Sequence, residues 1–154
     1  MGQAYFYHLT SSPLEGALPM LISKAREAGW RLVLRGAGRE RIEWLDQYLW
    51  LHPKDGFLPH GIAGGTHDAD QPVLLSAGQD MGNAPYCLMA FDGAGVSAKE
   101  VEDLARVCIL FDGNDADALE TARGQWRTLT EAGCTAQYWA QDDGRWVKKA
   151  ESGS

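Results

Sequence analysis

The sequence predicts a single three-layer α/β domain with a mainly parallel sheet, Rossmann-like in topology but without a nucleotide-binding fingerprint. Short apolar runs bounded by Gly, Pro, Asp or Asn alternate with segments whose apolar residues recur every three or four positions. A strand that reaches the next strand through a helix returns parallel to it, because a tight hairpin has no room for the helix. At 154 residues the chain suits one domain, placed over residues 1–150, with residues 151–154 expected as a disordered tail.

Ala4-Tyr5-Phe6-Tyr7-His8-Leu9 is short and aromatic-rich and reads as the first strand. Ser12 then suits an N-cap, Pro13 the first helical position, and Glu15, three residues after Ser12, completes a capping box. Leu14, Leu18, Leu21, Ile22 and Ala25 form one apolar stripe, and Gly29 offers the left-handed turn that ends the helix. Residues 30–34 form a second strand, buried and parallel to the first. After Gly36-Ala37-Gly38, a helix over residues 39–51 places Ile42, Leu45 and Leu49 on one face. The stretch 53–65 is rich in Pro, Gly and His and has no period. It reads as a loop, although it carries Phe57, Leu58 and Ile62. Residues 72–75, 86–91 and 107–111 are three further strands. The next helix opens near Asn114 or Asp115, shows Ala118, Leu119, Ala122, Trp126 and Leu129 at helical spacing, and ends at Gly133. Residues 135–141 alternate as a last strand, and Asp142-Asp143-Gly144 turns the chain into Arg145-Trp146-Val147-Lys148-Lys149.

Composition narrows the function classes. Hydrophobic residues make up 45% of the chain, which is ordinary for a soluble globular domain. Cys87, Cys108 and Cys134 are far apart and odd in number, so neither a disulfide framework nor a zinc site is predicted. The first residues lack a basic segment followed by an apolar run, and no stretch nears the ~18 apolar residues of a membrane span. A cytoplasmic location is the expectation. The net charge of −7 repels a polyphosphate backbone, so direct DNA contact would need a dominant local basic patch.

Catalytic and cofactor signals are sparse. Gly36-Ala37-Gly38-Arg39-Glu40-Arg41 stands where a dinucleotide fingerprint would sit, but its third glycine position is Arg41. There is no P-loop and no nucleophile elbow, and no cysteine has an activating context. His8, His52, His60 and His67 show no paired metal-ligand spacing. No cofactor, metal or intrinsic catalytic activity is predicted, and a Rossmann-like nucleotide-binding enzyme is the alternative reading.

The informative cluster lies on the last helix. Arg123, Trp126 and Arg127 occupy i, i+3 and i+4 and share one face. Arg binds carboxylate bidentately, and the indole offers an apolar wall, so this face suits an acidic peptide with an aromatic end. Arg145, Lys148 and Lys149 could extend it. Periodicity alone allows a plainer reading, with Trp126 in the core stripe and both arginines solvated.

Three segments together resemble the chi subunit family of bacterial DNA polymerase III. The opening strand at residues 4–9 is one. The second satisfies the family's L-W-x-x-P-x-x-x-F-x-P-H-x-x-A-G pattern with Leu49, Trp50, Pro53, Phe57, Pro59, His60, Ala63 and Gly64. The third is Ala122-Arg123-Gly124-Gln125-Trp126-Arg127 through Ala132-Gly133. The resemblance implies a non-catalytic adaptor that binds the acidic, Pro-Phe-ending C-terminal tail of single-stranded DNA-binding protein and links it to the clamp loader. It assigns tail binding to Arg123, Trp126 and Arg127, with Lys148 added to the predicted group as an extension of the same positive surface. Trp126 and Arg127 stand where members of the family carry Tyr and Lys. It assigns the interface with a second small subunit, psi, or another clamp-loader component, to Trp50, Phe57, Pro59 and His60.

Overall fold

The computed structural model describes residues 2–10, 14–51, 60–65, 68–78, 81–142 and 145–152, with the side chains of Glu15 and Asp142 excepted. Along the chain run β1 (Gln3–Leu9), α1 (Leu14–Glu27), β2 (Leu32–Arg35), α2 (Arg39–Leu51), β3 (Gly61–Ile62) and β4 (Val73–Ser76). They are followed by β5 (Cys87–Ala90), α3 (Ala98–Asp103), β6 (Arg106–Asp112), α4 (Ala116–Glu131), β7 (Thr135–Asp142) and β8 (Arg145–Ser152). All eight strands join one sheet in the order β3-β4-β2-β5-β6-β1-β7-β8. Every pairing is parallel except the β7–β8 hairpin.

The three layers follow from which side chains the strands turn to each face. Tyr7, Leu9, Leu32, Leu34, Met89 and Leu110 pack under Leu18 and Ile22 of α1 and Ile42, Leu45 and Leu49 of α2. Ala4, Phe6, Val33, Leu88, Ile109 and Ala136 pack under Val101 of α3 and Ala122 and Leu129 of α4. The α1 stripe read from the sequence is therefore its buried face, and both predicted glycine stops hold. At Gly29 (φ 81°) and Gly133 (φ 91°) the chain enters the left-handed region. Gly29 N donates to Arg26 O and Trp30 N to Ala25 O, while Gly133 N donates to Thr130 O and Cys134 N to Leu129 O. These paired bonds satisfy the last helical carbonyls of α1 and α4. The predicted Ser12–Pro13–Glu15 cap lies outside the described residues and side chains.

Three features depart from the sequence reading. Gly61–Ile62, read as loop, add a short parallel strand to the edge of β4. Residues 98–103 form a helix that was not anticipated, capped by a reciprocal box between Ser97 and Glu100. With Val101 alone among its residues fully buried, it has too little apolar period to announce itself. Residues 151 and 152, expected in the tail, instead continue β8, where Glu151 pairs with Gln137 and Ser152 with Ala136, while 153–154 lie outside the described residues. A terminal segment orders when a neighbouring strand offers it a full ladder of backbone partners.

Candidate functional site

Helix α4 begins because Asp115 caps it, accepting hydrogen bonds from Asp117 N at 2.9 Å and Ala118 N at 3.3 Å. Ala122 and Leu129 bury its inner face. That anchoring orients the predicted cluster. Trp126 is half-buried, edge-on to Phe6 at 5.3 Å and to Tyr138 at 6.1 Å between ring centroids. Arg123 and Arg127 flank it on the exposed side. Arg123 lies 3.8 Å from Glu120, a long surface contact worth little, and Arg127 has no ion-pair partner among the described residues. The geometry is that of the plainer reading offered by the periodicity: the indole is an edge of the core, and the guanidiniums border it in solvent.

Two residues that sequence reasoning missed adjoin this face. His8 of β1 and Tyr138 of β7 meet through Nδ1 and the phenol oxygen at 2.6 Å. His8 also lies 5.2 Å from the Phe111 ring. Burial lowers the His8 pKa, assisted by nearby Arg123 and opposed by the Gly113 backbone hydrogen bond and Asp112. Burial raises the Tyr138 pKa, with Arg123 acting against it. No motif signals this pair, because its members are 130 residues apart and are joined only by parallel pairing of β1 with β7.

Lys148 is not brought to this face. It pairs opposite Trp139, whose ring packs with the α1/α2 layer, whereas Tyr138 packs with the α4 layer. Residues directly opposite in an antiparallel pair share a sheet face. Its ammonium is 3.4 Å from Glu151. The β7–β8 hairpin register, invisible in the sequence, therefore removes Lys148 from the predicted group.

Of the second predicted surface, Phe57 and Pro59 lie outside the described residues. Trp50 is exposed at the end of α2, and its ring lies 4.2 Å from that of His60. His60 is buried, with Nε2 3.1 Å from the Asp46 carbonyl and 3.4 Å from Oδ1 of the Asp46 carboxylate. His60 thereby ties the residue just before β3 to α2 and floors Trp50. The helix exposes more aromatic surface than the sequence suggested: Trp44 stacks on Tyr48 at 5.4 Å, with the Arg41 guanidinium 4.3 Å over the indole.

The nucleotide alternative meets an unfavourable site. A cavity of about 730 Å³ opens at the C-terminal ends of β5, β6 and β1, where α1 and α4 leave on opposite faces. This is the crevice in which doubly wound folds take dinucleotides. Asp92, Asp112, Asp115 and Asp117 line it, and Arg41, the cation in the lining, is already 2.8 Å from Asp92. Such a lining repels a pyrophosphate. The side chains of Phe91 and Ile42 also crowd Gly36, the first glycine of the candidate fingerprint. Cysteine chemistry is equally unfavoured. A hydrogen bond with Cys108 and burial push the Cys87 thiol up, and burial raises Cys134. Among the described residues no group of His, Cys, Asp or Glu could hold a metal ion, and no helix is long and apolar enough to cross a membrane.

Comparison with known protein families matches residues 1–137 to the DNA polymerase III chi subunit, HolC. No curated protein matches the chain. With the match covering both helical layers, six whole strands and the start of β7, this chain belongs to the chi subunit family of DNA polymerase III.

Proposed function

We infer that this accessory subunit of DNA polymerase III captures the acidic C-terminal tail of single-stranded DNA-binding protein on α4 and carries that contact to the clamp loader. The observation that supports the reading best is the α4 face itself. A core-anchored indole is bordered by two exposed guanidiniums, one from about a turn earlier and one from the next residue, in a chain whose net charge is −7. Arg123 and Arg127 would take the tail carboxylates, and Trp126 would form the wall for its terminal Phe. Charge brings the peptide in, so salt weakens capture, and ordering a short flexible segment holds the affinity to roughly micromolar. Trp50 and His60 would form part of the face that meets psi or another clamp-loader component.

A labelled acidic peptide ending in Pro-Phe, titrated into wild type and Arg127→Ala, tests the assignment. About tenfold weaker binding by the variant is expected, equivalent to ~1.4 kcal/mol. Equal binding by both, or none by wild type, would sink it.

A further inference from the structure

We propose that His8 and Tyr138 belong to the tail-binding face and make capture of an acidic peptide strengthen as pH falls. The inference rests on the α4 reading above and adds a proton to it.

The geometry begins with how tightly His8 is held. Its ring lies beside Phe111, meets Tyr138 nearly perpendicularly at 5.8 Å between centroids, and is so close to Gly113 that a Cβ there would overlap it. A hydrogen bond to the Gly113 backbone accounts for one ring nitrogen, and the Tyr138 oxygen, 2.6 Å from Nδ1, accounts for the other. When the proton of neutral His8 is on Nε2, facing Gly113, Nδ1 accepts from the Tyr138 hydroxyl. The phenol proton is then committed inward. On protonation Nδ1 becomes a donor, the Tyr138 oxygen accepts from it, and the hydroxyl hydrogen is released to bond elsewhere.

Tyr138 stands beside the proposed peptide wall, edge-on to Trp126. Arg123 is near enough to both His8 and Tyr138 to act on the titration of each. Protonation therefore does two things on one side of the site: it adds a positive charge and frees an O–H donor. Both favour an incoming carboxylate. The groups facing His8 are Asp112 of β6, Arg123 of α4 and Tyr138 of β7. Asp112 favours its protonation and Arg123 opposes it. A bound carboxylate neutralises the Arg123 field, so binding and proton uptake reinforce each other. Burial holds free His8 neutral at neutral pH, which leaves the acidic side as the working range.

The test is fluorescence anisotropy of the labelled acidic Pro-Phe peptide with the full chain at constant ionic strength, near about pH 7.5 and about pH 5.5. Wild type, His8→Asn and Tyr138→Phe are compared, and the His8 ring is titrated by NMR in wild type with and without saturating peptide. Wild type should tighten by about fivefold more than His8→Asn on acidification. Tyr138→Phe should keep only part of that gain, and peptide should move the His8 titration to higher pH. Equal pH responses in wild type and His8→Asn, or a His8 titration unmoved by peptide, would overturn the proposal and leave tail capture standing. Absence of binding by wild type at both pH values would overturn tail capture and this proposal together. The NMR titration needs no variant, so it decides the matter even if His8→Asn fails to fold.

Discussion

At the scale of single residues, buried polar pairs carry consequences that their sequence neighbourhoods conceal. Arg35 is 2% exposed, yet its two terminal nitrogens are held bidentately by Glu100, with N–O distances of 2.9 and 2.6 Å, and one of them also donates to Gly95 O, while its buried Nε finds no acceptor. Burial alone would raise the Glu100 carboxyl. Hydrogen bonds from Arg35 and Ser97 outweigh it and leave the pKa below its ordinary value. A depressed carboxylate stabilises the fold fully above its unfolded value of about 4.5, and that contribution is lost as pH falls through the lower folded value. Glu100→Gln should therefore lower stability at neutral pH by about 3 kcal/mol, because it strands a buried guanidinium. It should also flatten the acid limb of the stability curve, as measured by urea unfolding from pH 7 downward. His8 acts in the same direction in a different window. Its lowered pKa means that the unfolded chain binds its proton first, so stability declines as pH drops below about 6.5 and levels off beneath the folded value. His8→Asn should lack that decline.

At the scale of elements, helix ends and strand registers decide which side chains become available. Asp115 supplies two hydrogen bonds to the first turn of α4, and Asp115→Ala should cost about 1 kcal/mol in denaturant melts. Fraying of that turn begins two turns from Trp126, so peptide affinity should fall less than stability does. Trp126 itself couples the two properties, since it closes the layer over Phe6 and Tyr138 while presenting its edge outward. Trp126→Ala should lower both stability and peptide binding, whereas Arg127→Ala should lower binding alone; thermal melts beside titrations separate them. The sequence showed the helix stripe and the basic–aromatic spacing plainly, because both are local and repeat every three or four residues. It placed Lys148 beside them wrongly, because one β-bulge between Tyr138 and Trp139 and the hairpin register set which face a β8 residue occupies.

For the whole molecule, the charge balance and the sheet order determine where partners can bind. Acidic residues line the C-terminal crevice and dominate the chain overall, so anionic ligands are repelled from the ordinary dinucleotide position, and under the proposed function they meet the exposed arginines of α4 instead. Raising salt at constant pH should accordingly weaken acidic-peptide binding while leaving the melting temperature nearly unchanged, since the Arg123 and Arg127 charges add little to folding. The hairpin also matters globally. Trp146 on β8 lies edge-on to Tyr7 at 5.1 Å and packs against the α1/α2 core. Trp146→Ala should expose the flank of Tyr7 and cost about 2 kcal/mol in stability without altering the α4 face.

The sequence by itself determined the alternating α/β class, the α2 limits, the opening of α4 near Asn114 or Asp115, the glycine stops at Gly29 and Gly133, and the ordered motifs by which the family is met. All of these depend on interactions within a few residues, where period and chain stiffness are decisive. Only the tertiary structure decided the strand order, the burial of Arg35 against Glu100, the removal of Lys148 and the meeting of His8 with Tyr138. Those pairings depend on which strands lie side by side, a choice set by covering two faces of one sheet at once rather than by any local preference.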